Sequence, residues 1–233
     1  MKEKPTKQNT IRSYVKREGR LTSAQQYALD NYWAKHGVIF NTDSLDLQSL
    51  YKRRAPLILD IGVGTGDSTL NHAQTHPENN YLAIEVHRPG VGQLLNNIES
   101  NNLTNIKISN NDVIDVLQNQ IPDRSISQVF IFFADPWPKT RHQKRRLINK
   151  QLIGLIKRKI AIHGRLHIAT DWQHYANHIQ KLCQSDPALI NLSGSKSYSS
   201  PRPNWRIRTR YEARGLRLNH NVWDFCYGFN LNR

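Results

Sequence analysis

The stretch Leu57-Ile58-Leu59-Asp60-Ile61-Gly62-Val63-Gly64-Thr65-Gly66 is a short apolar run that ends abruptly in a glycine-rich turn. Beyond it, residues 67–76 carry apolar side chains at helical spacing, and Tyr81-Leu82-Ala83-Ile84-Glu85-Val86 returns to a run of strand length. The pattern then repeats. Runs at 105–108, 129–133 and 166–170 read as strands, and 89–101, 112–119, 144–160 and 172–184 as helical stretches. A last run, Val222 to Phe229, reads as a final core strand. Strands alternating with helices across short Gly, Pro or Asn breaks predict an α/β fold, a parallel sheet with helices on both faces. In such a sheet ligands sit beyond the carboxyl ends of the strands, where the strand order reverses.

The residues at those ends are acidic. Glycines at 62 and 64 let the chain turn sharply and let a ligand approach the backbone. Their spacing is G-x-G-x-G, with Asp67 where a dinucleotide fingerprint needs its third glycine. Asp60 beside that turn would repel a pyrophosphate but suits an ammonium. Glu85, at the end of the second strand, can accept from two ribose hydroxyls, and Asp112, after the third, from an adenine amino group. An amino acid, a ribose and an adenine in one pocket describe S-adenosylmethionine better than NAD.

Charge points to a polyanion. The 233 residues carry 33 Lys or Arg against 18 Asp or Glu, for a net charge of +15. The surplus is divided: +6 over residues 1–56, −5 over 57–134 and +14 over 135–233. An acidic pocket between two cationic flanks fits a nucleic-acid partner. No apolar run approaches the ~18–20 residues that span a bilayer, the N-terminus lacks a signal-peptide core, and two cysteines are too few for a disulfide framework or a cysteine zinc site. A cytoplasmic protein with no membrane contact is expected. Residues 1–56 read as a basic extension packed on or flanking a domain of 57–233, and residues 1–10, without an apolar anchor, as mobile.

Two loops carry the remaining chemistry. Phe132-Phe133-Ala134-Asp135-Pro136-Trp137-Pro138-Lys139 leaves the fourth strand toward the same pocket, stiffened by two prolines, with Asp135 where a methyl acceptor must lie. Lys139-Thr140-Arg141-His142-Gln143-Lys144-Arg145-Arg146 follows at once, five Lys or Arg in eight residues. Its nearness to the acceptor loop favours phosphate contacts over a solvated face. Asp171 follows the fifth strand at the pocket rim. Residues 202–212 interleave aromatics with arginines, as a nucleic-acid-facing loop does.

Together these residues resemble the bacterial tRNA (guanine-N7-)-methyltransferases of the TrmB type. The likeness runs from Ile11-Arg12-Ser13-Tyr14-Val15 to Thr209-Arg210-Tyr211-Glu212, and is most specific at Asp135-Pro136-Trp137-Pro138-Lys139, residues 141–146 and Ala169-Thr170-Asp171-Trp172. The resemblance implies a Rossmann-like class I S-adenosylmethionine-dependent fold with a mostly parallel seven-stranded sheet. It implies cofactor contacts from Asp60, Glu85, Asp112 and Asp135, beside Gly62 and Gly64. It implies guanine or tRNA contacts from Lys139, Asp171, Thr209, Arg210, Tyr211 and Glu212, with Arg141, His142, Gln143, Lys144, Arg145 and Arg146 on RNA. The implied reaction is methylation at N7 of the variable-loop guanine, position 46, of tRNA, by a monomer or homodimer, with Asp135 as the catalytic residue. The family usually has Glu where Asp60 stands and Pro where Ala134 stands.

The alternatives explain less. A methyltransferase acting on protein or small molecules leaves the +14 flank unused, while one acting on another RNA stays open. A non-catalytic RNA-binding protein leaves the carboxylate pocket unused. His72/His76 and His174/His178 have metal-compatible i,i+4 spacing but no third ligand, so they read as surface histidines and no metal is expected.

Overall fold

The computed structural model describes residues 12–14, 19–193 and 201–230. Residues 1–10, with the mobility expected of them, lie outside that range.

Strands β1 (Leu57–Ile61) and β2 (Asn80–Ile84) are buried at every position. A parallel strand covered by helices on both faces has this character. With β3 (Ile106–Ser109), β4 (Ile126–Phe132), β5 (Ile160–Thr170), β6 (Leu189–Asn191) and β7 (Trp223–Phe229) they form one seven-stranded sheet, in the order β3-β2-β1-β4-β5-β7-β6. The pairs among β1 to β5 are parallel. Strand β7 runs antiparallel between β5 and β6. The order reverses between β1 and β4, which opens the expected crevice there.

Helices α1 (Ser23–His36), α2 (Leu47–Tyr51), α3 (Asp67–Thr75), α4 (Arg88–Ser100), α5 (Val113–Asn119), α6 (Lys150–Lys159), α7 (Gln173–Gln184) and α8 (Arg210–Arg217) complete the fold. Alternate residues of β1 feed two cores: Leu57, Leu59 and Ile61 pack with Val116, Ile156 and Ile179, and Ile58 with Tyr81, Leu94 and Phe130. That two-residue period is the signature of a sheet sandwiched by helices. Helix α1 starts at a capping box, Thr22 with Gln25, and lies against α4. A Cβ on Gly92 would meet the Gln25 carbonyl oxygen at 2.8 Å, so glycine permits that approach. Glu99 accepts from both Lys35 and His36.

Several features differ from the sequence reading. Strand β5 begins at Ile160, six residues before the expected run, and α8 begins at Arg210, within a segment read as a loop. Helix α6 begins only at Lys150, where the Asn149 side chain accepts from the Leu152 amide; residues 140–145 form a 3-10 turn instead. The three-residue edge strand β6 was not foreseen, being too short to show a period. Strand β4 stops at Phe132 because Phe133 takes a positive φ of 55°. The histidine pairs are only partly superficial. His72 is buried, with its Nδ1 2.7 Å from the Tyr81 hydroxyl and its ring stacked on His76. Burial pushes its pKa down to about 4. The Nε2–H of His178 donates to the Ile148 carbonyl. Among the described residues no cluster of three metal-ligating side chains occurs, and no helix is long and apolar enough to cross a membrane.

Candidate active site

At the carboxyl ends of β1 to β4 the sheet opens into a cavity of about 610 Å³, within the ~300–1,000 Å³ usual for small-molecule sites. One wall is the glycine turn. Gly62, Gly64 and Gly66 all have positive φ, between 58° and 80°, which only glycine adopts without strain. A Cβ on Gly62 would meet nothing within 4 Å, so bare backbone faces open space there. At Gly66 a Cβ would strike Leu94 at 2.4 Å, so the turn is also packed from behind.

The strand-end carboxylates converge as expected. Asp60 is buried and accepts from the Thr69 hydroxyl at 2.6 Å. Burial pushes its pKa up to about 7. Glu85 accepts from the Gly64 amide at 2.7 Å and the His87 amide at 2.8 Å, one on each oxygen. Each oxygen keeps a further lone pair for a ligand hydroxyl. Gly64 therefore serves the site through this bond and is not itself part of the lining. Asp112 caps α5, with Oδ1 accepting from the Ile114 amide at 3.0 Å, and burial raises its pKa.

The loop after β4 supplies the far wall. The Phe133 amide donates to the Ala169 carbonyl at 2.8 Å, tying the loop to β5 and aiming Phe133, Ala134 and Asp135 at the cavity. The Trp137 indole N–H donates to the Ser13 carbonyl at 3.1 Å. Ser13 and Tyr14 line the cavity as well. These two, with Arg214 and Arg217, are lining residues that the sequence reading missed. No periodicity marks residues 12–14, and the arginines of α8 resemble any charged helix face.

The expected substrate residues separate. Thr209 lines the cavity and caps α8, its hydroxyl accepting from the Glu212 amide at 3.2 Å. Asp171 lies in an adjoining concavity with Trp172, His220 and Trp223, 3.6 Å from His220 Nδ1. Lys139 is exposed, outside the lining. The side chains of Arg210 and Tyr211 lie outside the described residues. Glu212 departs from its expected role: it is buried, and both its oxygens accept from Arg206. Arg206 also bonds Asp224 at 2.7 and 2.8 Å, so this arginine, read as facing RNA, is a buried tie between α8 and β7.

The 141–146 run divides likewise. Arg141 and Lys144 are exposed, and His142, Gln143 and Arg145 half-buried. The Arg145 guanidinium lies over the Trp137 ring at 5.4 Å. Arg146 points inward: it is 2% exposed, donates to the Pro136 carbonyl and to His174, and sits over Tyr175. Its guanidinium holds the acceptor loop from beneath.

A family model described as "Putative methyltransferase" matches residues 54–225. The tRNA (guanine-N(7)-)-methyltransferase of Hydrogenovibrio crunogenus is 44% identical over 223 residues, 96% of this chain and 92% of that one. That of Yersinia enterocolitica is 45% identical over 217 residues, 93% and 90% of the two chains. The chain belongs to this family. Among solved structures, the aminoglycoside resistance methyltransferase NpmB1 superposes with a TM-score of 0.54 at 14% identity, over 83% of this chain and 96% of that one. A SAM-dependent methyltransferase from Aquifex aeolicus does so with a TM-score of 0.51 at 10% identity, over 88% and 89%. At such identities the likeness establishes the fold alone, the class I methyltransferase fold. In this tRNA (guanine-N7-)-methyltransferase family member the bare glycine backbone and the acceptors Asp60, Glu85 and Asp112 fit the donors and positive charge of S-adenosylmethionine.

Proposed function

We infer that the protein methylates N7 of a guanine in tRNA, using S-adenosylmethionine, and we propose the variable-loop guanine, position 46, as its target. The observation that carries the reading is the cavity itself, which places Asp135 in one space with Asp60, Glu85 and Asp112. When bound, the cofactor supplies an electrophilic methyl group on a sulfonium. N7 of guanine has a free lone pair, so no side chain need remove a proton. What the chain contributes is positioning, which can amount to a large effective molarity. Asp135 accepts from the N1–H and N2–H edge of the guanine and offsets the positive charge that develops on the ring. It acts as an electrostatic partner and not as a general base.

Position 46 rests on the resemblance to the family and on the +14 carried by residues 135–233, which suits a folded polyanion. Turning that base out of its tertiary contact costs a few kcal/mol, which the phosphate contacts of Arg141, Lys144 and Arg145 help to offset. A tRNA substrate and two unpaired cysteines suit the cytoplasm.

Labelled S-adenosylmethionine incubated with bulk tRNA tests the reading. Label is expected in 7-methylguanosine at position 46, and none in tRNA whose position 46 is adenine. Label in protein, or at another nucleotide, would overturn it. Asp135→Asn keeps the shape and removes the charge, and its single-turnover rate should fall by orders of magnitude while tRNA binding persists. A rate within about threefold of wild type, ~0.7 kcal/mol of barrier, would make Asp135 a bystander.

A further inference from the structure

Arg214 and Arg217 stand one turn apart on α8, on the same helix face, and both line the cavity. They are its only cationic lining residues among those described; the acidic ones are Asp60, Asp67, Glu85, Asp112 and Asp135. Both arginines are exposed, and neither has an ion pair with another described residue. Such guanidiniums at the mouth of an acidic pocket are a free pair of forked donors.

Their helix is held rigidly. Its other face carries Glu212, bonded to buried Arg206, which in turn is bonded to Asp224 of β7. Gly215 is pressed so closely on Asp171 that a Cβ would meet Oδ2 at 2.7 Å. Thr209 caps the helix at its start. The arginines therefore approach from the β5–β7 side of the crevice. The glycine turn, Glu85 and Asp112 belong to the opposite, β1–β3 side.

We propose that Arg214 and Arg217 clamp the backbone phosphate of the target nucleotide at the rim while its guanine enters the cavity. The proposal rests on the methyl-transfer reading above and adds the residues that admit a polyanion. The carboxylates of Asp60, Glu85, Asp112 and Asp135 favour a cationic ligand and repel a nucleotide's phosphates. A rim pair of guanidiniums, suited to bidentate phosphate recognition, keeps base and phosphate in separate fields. Their exposure fits a phosphate on a macromolecule, which must stay outside, better than a small carboxylate held within.

The test compares wild type, Arg214→Gln, Arg217→Gln and the double variant. The readouts are tRNA titrations across salt, calorimetry with S-adenosylhomocysteine, single-turnover transfer and thermal melting. The double variant should bind tRNA about tenfold more weakly or worse, the loss of charge-assisted contacts. Its slope of log affinity against log salt should fall by roughly 0.7–0.9 per phosphate contact. Affinity for S-adenosylhomocysteine should be unchanged, and Arg→Lys variants should keep the slope while recovering only part of the affinity. A drop in S-adenosylhomocysteine affinity with the tRNA slope intact would overturn the proposal in favour of the cofactor's carboxylate. No change in either would reduce the pair to a solvated face. Should the double variant melt early, Arg217→Gln, in the last turn of α8, decides alone. Absence of transfer by the wild type would sink the activity, while the binding measurements would still judge the arginines.

Discussion

Asp60 carries the sharpest consequence of burial in the cavity. Its hydrogen-bond donors, the Thr69 hydroxyl and the Ile61 amide, do not cancel the cost of desolvation, so burial pushes its pKa up to about 7. A cationic ligand prefers the ionised form. Above pH 7 the carboxylate is already present, and cofactor affinity should be level. Below it the ligand must displace a proton, so affinity should fall, approaching tenfold per pH unit. Calorimetry with S-adenosylhomocysteine from about pH 5.5 to 8.5 would show this slope, and Asp60→Asn should bind weakly without it. A flat wild-type profile would remove Asp60 from the ammonium. Glu85 has a double duty, because its oxygens hold two backbone amides of the turns that shape the site. Glu85→Ala should therefore lower both cofactor affinity, by about 1.5–3 kcal/mol, and the melting temperature. Loss of neither would show that the two turns hold themselves.

The segment after β4 shows how one run of charge serves two ends. The 3-10 turn ends at Arg145, and Arg146 leaves it in extended backbone, so the two consecutive arginines meet different surroundings. Arg145 stays at the surface over Trp137, and Arg146 goes beneath the loop. Their alanine variants should separate cleanly. Arg145→Ala should weaken tRNA binding and flatten its salt dependence, with melting and cofactor affinity unmoved. Arg146→Ala leaves the Pro136 carbonyl without its donor, at a cost of about 1–3 kcal/mol, or roughly 2–4 °C of melting temperature per kcal/mol. Transfer should fall with it, because Pro136 adjoins Asp135. An Arg146→Ala protein that melts normally yet loses salt dependence would mean that Arg146 reaches RNA after all. Helix α8 follows the same logic: Glu212 and Gly215 face the protein, Arg214 and Arg217 the cavity.

Across the molecule, the acidic centre and basic flanks map onto two ligands of opposite charge. The −5 stretch, residues 57–134, builds most of the cavity wall, and the +14 stretch, residues 135–233, adds Asp135, Leu147, Thr209, Arg214 and Arg217. Binding of tRNA should therefore lose affinity steeply with salt, through release of counterions. Cofactor binding, sheltered among buried carboxylates, should change little over the same range. Parallel titrations from about 50 to 200 mM salt test the division. Equal salt dependence for both ligands would contradict it.

Much of this was legible along the chain, because its causes are local. Runs such as Leu57–Ile61, the glycine turn, and Asp60, Glu85 and Asp112 at strand ends follow from neighbours in sequence, and a parallel α/β sheet then brings those ends together. The family followed from Asp135-Pro136-Trp137-Pro138 and the basic run beside it. Only the tertiary structure decided which charges face water. Arg206 meets Asp224 eighteen residues away, and Arg146 meets His174 twenty-eight away. Such partners come together only when β7 lies antiparallel beside β5 and when α7 packs behind the acceptor loop. A formal charge looks the same in sequence whether buried or exposed. Its desolvation is offset only where distant chain supplies a partner, and that is why Arg146, Arg206 and Glu212 turned inward while Arg214 and Arg217 were left free at the rim.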